Sequence, residues 1–134
     1  MFNFIGDFAI VLNYLLFITS FLSVFFYLKS ISEAKFLSLA RYGLYITNSG
    51  IILISFILLL LIINHQYQYI YVFNNSSNDL PFGLLLSTFY AGQEGSFLFW
   101  LLCLAVIGIF LQNFTKKIGL ESSVMSTFGI VVVF

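Results

Sequence analysis

The feature that most constrains this chain is the length of its apolar runs. Three runs extend over about twenty residues each, which is the length that an α-helix needs to cross the hydrocarbon core of a bilayer. They cover Phe8–Leu28, Tyr42–Ile63 and Ser96–Phe114. A soluble domain of 134 residues cannot bury a composition that is 61% hydrophobic and only 7% charged. The sequence therefore predicts an all-α fold in the form of a polytopic transmembrane helical bundle.

The two ends of the chain bear on the number of spans. The first run lacks the basic segment of a secretory signal, since Asp7 is its only charge, so we expect it to be retained as a helix. A fourth apolar run, Val124–Phe134, is long enough to reach only about half-way across a bilayer. We therefore expect three full spans plus a truncated fourth, with residues 1–134 forming the N-terminal transmembrane region of a longer protein.

The basic residues predict the orientation of these spans. All of them lie in the first and third connections, namely Lys29, Lys35, Arg41, Lys116 and Lys117. The positive-inside rule places those connections in the cytoplasm or the mitochondrial matrix, so the N-terminus and the loop 64–95 are predicted to lie outside. The first connection, Lys29–Arg41, has one apolar side and predicts a short amphipathic helix at the interface. Five basic residues do not form a phosphate-binding stripe, so we expect no nucleic-acid partner.

The outer loop begins with an alternating aromatic segment and continues into a turn. The aromatic side chains are Tyr67, Tyr69, Tyr71 and Phe73. They favour an aromatic belt at the membrane surface, and a ligand platform is the alternative. The polar segment Asn74–Asp79 is typical of a turn, and Pro81 suits the first turn of a helix. The apolar run Phe82–Tyr90 is too short to span, so we expect an interfacial or re-entrant helix.

A glycine-bounded segment, Ala91–Ser96, joins this loop to the third span. Glycines on both sides of Gln93 and Glu94 permit close backbone packing. Glu94 and Ser96 lie where the helix begins, so they are predicted to cap free amides and to complement the helix dipole, with Trp100 as an interfacial anchor. The alternative role for the Glu94 carboxylate is to orient a partner or substrate at the outer face.

These outer residues also carry a family resemblance. The matching positions are Tyr71, Asn75, Ser76, Pro81, Gly92, Gln93, Glu94, Gly95, Ser96 and Trp100. In this order they resemble the N-terminal region of the CcmF-type cytochrome c maturation haem lyase subunit. That family shows Tyr-Val, Asn-Ser and Leu-Pro pairs followed by Gly-His/Gln-Glu-Gly-Ser-Leu-Leu-Leu-Trp. The opening Gly6-Asp7-Phe8 and the spacing of the spans are similar too. The chain departs from the pattern at Leu84-Leu85, where a Tyr-Lys pair is usual, and at Tyr90, where tryptophan is common.

The resemblance implies a function and a set of partners. Family members join the vinyl groups of haem to the thiols of a Cys-x-x-Cys-His motif in apocytochrome c, on the outer side of the membrane. The implied cofactor of the full-length protein is therefore haem. The implied partners are the lipid bilayer, the remaining part of the haem lyase, other cytochrome c maturation proteins and apocytochrome c. The implied location is the bacterial inner membrane, with the mitochondrial inner membrane as the alternative.

The haem-handling parts of that family have no counterpart in this sequence. The chain has one tryptophan and one histidine, whereas the family uses a tryptophan-rich segment and several histidines. We therefore expect no catalytic and no haem-ligating residue here, and His65 is interpreted as an interfacial polar residue. Asn48 is expected to bond a neighbouring helix inside the bundle, and Cys103 to be a packing residue or to face lipid.

Two other functions remain as alternatives. The chain could be a small hydrophobic scaffold subunit of a respiratory membrane complex. It could also be part of a transporter, for which an intramembrane polar residue such as Asn48 would be a substrate contact.

Overall fold

A computed structural model describes residues 2–133, which form six α-helices and no strand. The helices are α1 (Phe2–Ser30), α2 (Phe36–Ile63), α3 (Ile70–Asn75), α4 (Phe82–Ser87), α5 (Gln93–Ile118) and α6 (Glu121–Val133). Phe134, the last residue of the predicted fourth span, lies outside the described residues. The all-α prediction is confirmed.

Three of these helices are long and apolar enough to cross a membrane. They are Ile10–Ser30, Phe36–Ile63 and Gln93–Ile118, with mean hydropathies of 2.0, 2.6 and 2.2. Helix α6 is apolar but shorter. Most side chains of the spans are not buried within the chain, as expected of helices whose outer surface faces lipid rather than water. The prediction of three full spans and a shorter fourth helix is therefore confirmed.

The first connection differs from its prediction. Residues 31–35 form turns, and the expected interfacial helix is absent, because the segment from Phe36 onward is the start of α2. Ala40 is fully buried in a cluster with Tyr27 and Met125. Burial of Ala40 against α1 and α6 draws the first turns of α2 into the bundle, so these turns continue the span instead of lying along the interface.

Helices α1 and α2 pack closely because small residues line their contact. A Cβ atom on Gly43 would lie 3.0 Å from Ser23 Cβ. The Ser23 hydroxyl donates a hydrogen bond to the backbone carbonyl of Ala40 at 2.9 Å, and the hydroxyls of Thr19 and Thr47 are 3.0 Å apart. Small residues and hydroxyl bonds of this kind are common where transmembrane helices meet. Helices α5 and α6 complete the bundle against α2 and α1.

The outer loop folds back onto the bundle. Leu61 and Ile62 at the end of α2 form a buried core with Val72 of α3, Leu85 of α4 and Phe89. The three loop tyrosines pack against this core, while Phe73 is 67% exposed, so only part of the aromatic segment faces outward as a belt would. The short helix expected within 82–90 is present as α4, followed by turns at 88–90. Pro81 directly precedes this helix instead of lying in its first turn.

Helix α5 begins at Gln93, slightly earlier than the predicted Ser96, and ends before Gly119. Gly119 has φ 74°, a left-handed conformation in which glycine is favoured and which commonly terminates helices. Lys116 and Lys117 lie in the last turn of α5, where positive charge complements the helix dipole.

Candidate functional site

The outer loop is organised around the side chain of Tyr71, which α3 directs toward the start of α5. The Tyr71 hydroxyl lies 2.9 Å from the carbonyl oxygen of Thr88 and 3.1 Å from that of Phe89, to which it donates. It also accepts a hydrogen bond from the Gly92 amide at 3.3 Å. One phenol therefore binds three backbone groups of the segment that joins α4 to α5.

Two glycines of the family-like motif leave room for this phenol. A Cβ atom on Gly92 would lie 2.7 Å from Tyr71 Cε2, and one on Gly95 would overlap both the Tyr71 hydroxyl and the Phe89 carbonyl oxygen. Gly92 has φ −87°, which any residue can adopt, so space and not backbone conformation explains the glycine here. The glycines are therefore required for close packing, as the sequence predicts.

The predicted capping roles of Glu94 and Ser96 are wrong, because neither side chain accepts a hydrogen bond from an amide at the start of α5. The N-cap residue of α5 is Gly92, and no side chain caps it. The Ser96 hydroxyl instead donates to the carbonyl oxygens of Tyr90 at 2.8 Å and Gly92 at 2.9 Å. The backbone turn before α5 brings carbonyl groups, not free amides, to this hydroxyl. Glu94 does lie in the first turn of α5, where its charge complements the helix dipole.

The structure therefore brings five of the ten family-like positions together. We call them the Tyr71 cluster, which consists of Tyr71, Asn75, Gly92, Gly95 and Ser96. Asn75 joins it because its side-chain amide donates to the Tyr71 carbonyl at 2.9 Å and borders the space above Gly92.

The other five positions lie around this cluster. Ser76 follows Asn75, and its buried hydroxyl has no hydrogen-bond partner among residues 2–133. The remaining side chains are exposed, and they are Pro81, Gln93, Glu94 and Trp100. The motif thus divides into an inner set that holds the backbone and an exposed set, of which Gln93, Glu94 and Trp100 lie in the first turns of α5.

The chemistry of the Tyr71 cluster is hydrogen bonding by neutral groups. Burial raises the pKa of the Tyr71 phenol above its usual value, because the phenolate would lose solvation there. The phenol therefore stays protonated at physiological pH and keeps its donor. The arrangement holds backbone in position and contains no nucleophile activated by a base.

A second polar group, which sequence reasoning missed, lies at the opposite end of the bundle. Arg41 Nε is 2.9 Å and 3.0 Å from the two carboxylate oxygens of Glu121, and Arg41 Nη2 is 2.5 Å from Oε2. Tyr27 donates to Glu121 at 3.3 Å and accepts from Gln112 at 3.0 Å. We call these four residues the inner polar cluster. Each comes from a different one of the four longest helices, so the cluster joins α1, α2, α5 and α6.

The sequence contains a weak signal for this cluster. Arg41 lies near the beginning of the second span and Glu121 opens the fourth apolar helix, on the same predicted side of the membrane. Their separation along the chain hides the pairing, so the arginine by itself indicates only topology. The Glu121 side chain is only 4% exposed, so the ion pair is a buried structural contact and not a solvated surface pair.

Asn48 faces the bundle interior, as predicted, but it does not form the expected bond. Its side-chain nitrogen is buried without a hydrogen-bond partner among the described residues, close to Gly108 of α5. It lines a cavity of about 630 Å³ between α1, α2, α5 and α6. Cys103 on α5 is partly buried, in keeping with its interpretation as a packing residue.

His65, the one histidine of the sequence, lies in the turn that follows α2. Its Nδ1 lies 3.1 Å from the Tyr67 hydroxyl, and its backbone has φ 51° in the turn after α2. The 630 Å³ cavity does not include His65, and its lining, as far as the chain is described, has no histidine or cysteine. Within residues 2–133 no group of three His, Cys, Asp or Glu side chains is placed to hold a metal ion. These residues do not fit a haem held by two axial ligands.

The Tyr71 hydroxyl provides a direct test of the cluster. Tyr71→Phe leaves the ring in place but removes the donor to Thr88 and Phe89, so we expect the free energy of unfolding to fall by ~1–3 kcal/mol. Chemical unfolding of the purified protein in detergent measures this loss. Tyr90→Phe is the control, since the Tyr90 side chain is exposed in the segment that Tyr71 binds. This variant should change the free energy of unfolding little. Equal stability of the two variants would show that the phenol does not hold the loop.

Comparison with family models, curated proteins and solved structures found no match to this chain.

Proposed function

We propose that this chain is the N-terminal membrane part of a CcmF-type haem lyase, which attaches haem covalently to apocytochrome c on the outer side of the membrane. The observation that supports this proposal is the Tyr71 cluster. Two segments that resemble the family motif are separated along the sequence, yet Tyr71 and Asn75 of the first contact Gly92 of the second, and Tyr71 also packs against Gly95. Residues that match the family pattern therefore serve one structural task, the attachment of α3 to the start of α5.

In this proposal the chain shapes the outer face of the lyase. The Tyr71 cluster holds the segment before α5, so that Gln93, Glu94 and Trp100 remain exposed at the outer end of that helix. Glu94 is the only acidic residue between Asp79 and Glu121 in the sequence, so it is the residue best suited to orient a basic segment of a partner. The partners are the remaining part of the lyase, other cytochrome c maturation proteins and apocytochrome c, in the bacterial or mitochondrial inner membrane.

Haem, when bound by the complete lyase, supplies the vinyl groups that form thioether bonds with the cysteine thiols of apocytochrome c. The described residues of this chain do not fit haem ligation, so no step of that reaction is assigned to them. Their role is to anchor the complex in the bilayer and to position its outer surface.

Deletion of the gene in its host tests the proposal. We expect covalent haem to disappear from c-type cytochromes, as seen on denaturing gels. The b-type cytochromes hold haem without covalent bonds, so we expect them to keep their haem in native membranes. Re-expression of the intact gene should restore covalent haem. Loss of a single respiratory complex with other c-type cytochromes intact would instead favour the scaffold subunit, and a solute-uptake defect alone would favour the transporter.

A charge-neutralising variant tests the proposed role of Glu94 within the same assay. Glu94→Gln should lower covalent haem attachment several-fold, because the exposed carboxylate no longer orients the partner. Glu33→Gln is the matched control, since Glu33 is an exposed acid in the turn between α1 and α2, on the opposite side of the membrane. Equal haem attachment in the two strains would remove Glu94 from the proposal.

A further inference from the structure

Helix α4 lies beside the spans and not above their ends. Leu85 of α4 and the following Phe89 pack in the core that includes Leu61 and Ile62. The Phe89 ring lies 6.4 Å from the ring of Phe99, which is about 9 Å along α5 from its start, given a rise of about 1.5 Å per residue. Helix α4 also contacts α2, whose last turn contains Leu61 and Ile62. The segment from Pro81 to Gly92 therefore lies alongside the outer turns of two transmembrane helices.

The backbone amides of this segment are satisfied internally even where the helix is interrupted. After α4 ends, the amides of residues 88–91 donate to carbonyls three or four positions earlier in the chain. The next amide, that of Gly92, donates to the Tyr71 hydroxyl. No amide in this interruption depends on water.

The carbonyl groups of the same interruption are satisfied by side-chain hydroxyls. Tyr71 donates to the carbonyls of Thr88 and Phe89, and Ser96 donates to those of Tyr90 and Gly92. Non-helical backbone is tolerated at membrane depth only where its polar groups find partners in the protein. Each hydroxyl has one proton, which it shares between two carbonyls, so the two hydroxyls together contact four carbonyls of the interruption.

Two of the three polar side chains of the segment are satisfied in the same way. The hydroxyl of Ser87 donates to the Leu84 carbonyl at 2.7 Å, and that of Thr88 donates to the Leu85 carbonyl at 2.6 Å. The third, the phenol of Tyr90, is exposed. Residues 80–92 contain no charged side chain, so the segment carries no charge that requires hydration.

The outward side of α4 is apolar. Phe82 is 63% exposed and Leu84 is 54% exposed, although both lie beside helices whose outer surface faces lipid. In water these side chains would form an unfavourable surface, whereas in the outer leaflet they would continue the apolar surface of α2 and α5.

We propose that residues 81–92 form a re-entrant segment in the outer leaflet, where Phe82 and Leu84 contact lipid acyl chains. The hydroxyls of Tyr71 and Ser96 make this insertion possible because they bind the carbonyls of the interrupted backbone. The partner of this surface is lipid. The inference does not depend on haem chemistry, so it stands or falls separately from the proposed function.

Fluorescence quenching in lipid vesicles tests the location of α4. The chain has a single tryptophan, so Trp100→Phe provides a background in which one reporter is added at a time. Phe82→Trp reports on α4, Phe17→Trp on the exposed surface of α1, and Ser77→Trp on the exposed turn after α3. Each full-length protein is reconstituted in phosphatidylcholine vesicles whose acyl chains carry bromine, a contact quencher of tryptophan.

The expected result is that the Phe82→Trp reporter is quenched at least half as strongly as Phe17→Trp. Quenching should be stronger when bromine lies near the ester end of the chain than near its methyl end. The Ser77→Trp reporter should be quenched weakly. If Phe82→Trp behaves like Ser77→Trp, α4 is outside the hydrocarbon, either in water or covered by protein, and the proposal is overturned.

The role of the hydroxyls is tested in the same vesicles. Ser96→Ala combined with Phe82→Trp should reduce quenching, because two carbonyls lose their donor and the segment moves toward water. Ser20→Ala is the matched control, since the Ser20 hydroxyl donates to a carbonyl of the regular helix α1. Far-ultraviolet circular dichroism shows whether each variant keeps its helices. A folded Ser96→Ala variant with unchanged quenching would refute the role assigned to the hydroxyls.

Discussion

Gly95→Ala is expected to lower the free energy of unfolding by about 3 kcal/mol, at the upper end of the usual range for overpacking. The added methyl group would occupy the positions of the Tyr71 hydroxyl and the Phe89 carbonyl oxygen. Neither atom is the end of a flexible side chain, since one is a bound phenol and the other is backbone. The start of α5 must then move away from α3, and the hydrogen bonds of the Tyr71 cluster are lost with it.

Gly83→Ala is the matched control for that variant. Gly83 lies in the first turn of α4, and a Cβ atom there would meet nothing within 4 Å. Alanine has the higher helix propensity, so this change is expected to be neutral or to stabilise by up to ~1 kcal/mol. Unfolding in detergent compares the two proteins, and proteolysis of the outer loop locates the change. A Gly95→Ala protein as stable and as protease-resistant as Gly83→Ala would contradict the packing seen around Tyr71.

Arg41→Met is expected to be the other strongly destabilising change, with a loss of ~3–5 kcal/mol. The substitution keeps an unbranched side chain but removes the guanidinium group from the buried Glu121 carboxylate. Tyr27 alone is then left to bind a charge that is out of contact with water. The Glu121 carboxylate lies at the start of α6 and holds that helix to the bundle. We therefore expect α6 to detach from the bundle in the Arg41→Met protein.

Lys35→Met separates this effect from a change in topology. Lys35 directly precedes α2 and Arg41 lies in its first turns, so both variants remove one positive charge at the same end of the bundle, but the Lys35–Glu33 pair is exposed, with side-chain exposures of 70% and 53%. The expected loss for Lys35→Met is at most ~1 kcal/mol. Adding Glu121→Gln to Arg41→Met should recover part of the lost stability, because it removes the unpaired charge. Equal losses of unfolding free energy for Arg41→Met and Lys35→Met would mean that the Arg41–Glu121 pair stabilises the protein no more than the exposed pair does.

The spans were predictable because the length and apolarity of a segment decide whether it can cross a bilayer, without reference to the rest of the chain. The boundaries of the helices were less predictable. Helix α2 begins before the predicted Tyr42 because Ala40 packs against residues from α1 and α6, which no local pattern encodes. Interpreting Phe82–Tyr90 as too short to span was enough to expect the short helix α4.

The contacts within the candidate sites could not be predicted from the sequence alone. Glycine spacing around Gln93 predicted close packing, but not that Tyr71 is the residue packed there. Ser96 has the side chain and the position of a capping residue. The path of the preceding backbone, which the sequence does not reveal, places carbonyl groups beside its hydroxyl. Arg41 and Glu121 are 80 positions apart, so their pairing depends on the assembled bundle.

That separation has a consequence for the synthesis of the protein. A ribosome adds about 5–20 residues per second, so Glu121 emerges roughly 4–16 s after Arg41. During that interval the guanidinium group lacks its carboxylate, and its position near the start of α2 lets it extend into the aqueous phase. The ion pair closes only when the helix that starts at Glu121 arrives. Association of that helix therefore follows the synthesis of α1 and α2, and a nascent chain stalled before it would hold an unpaired arginine.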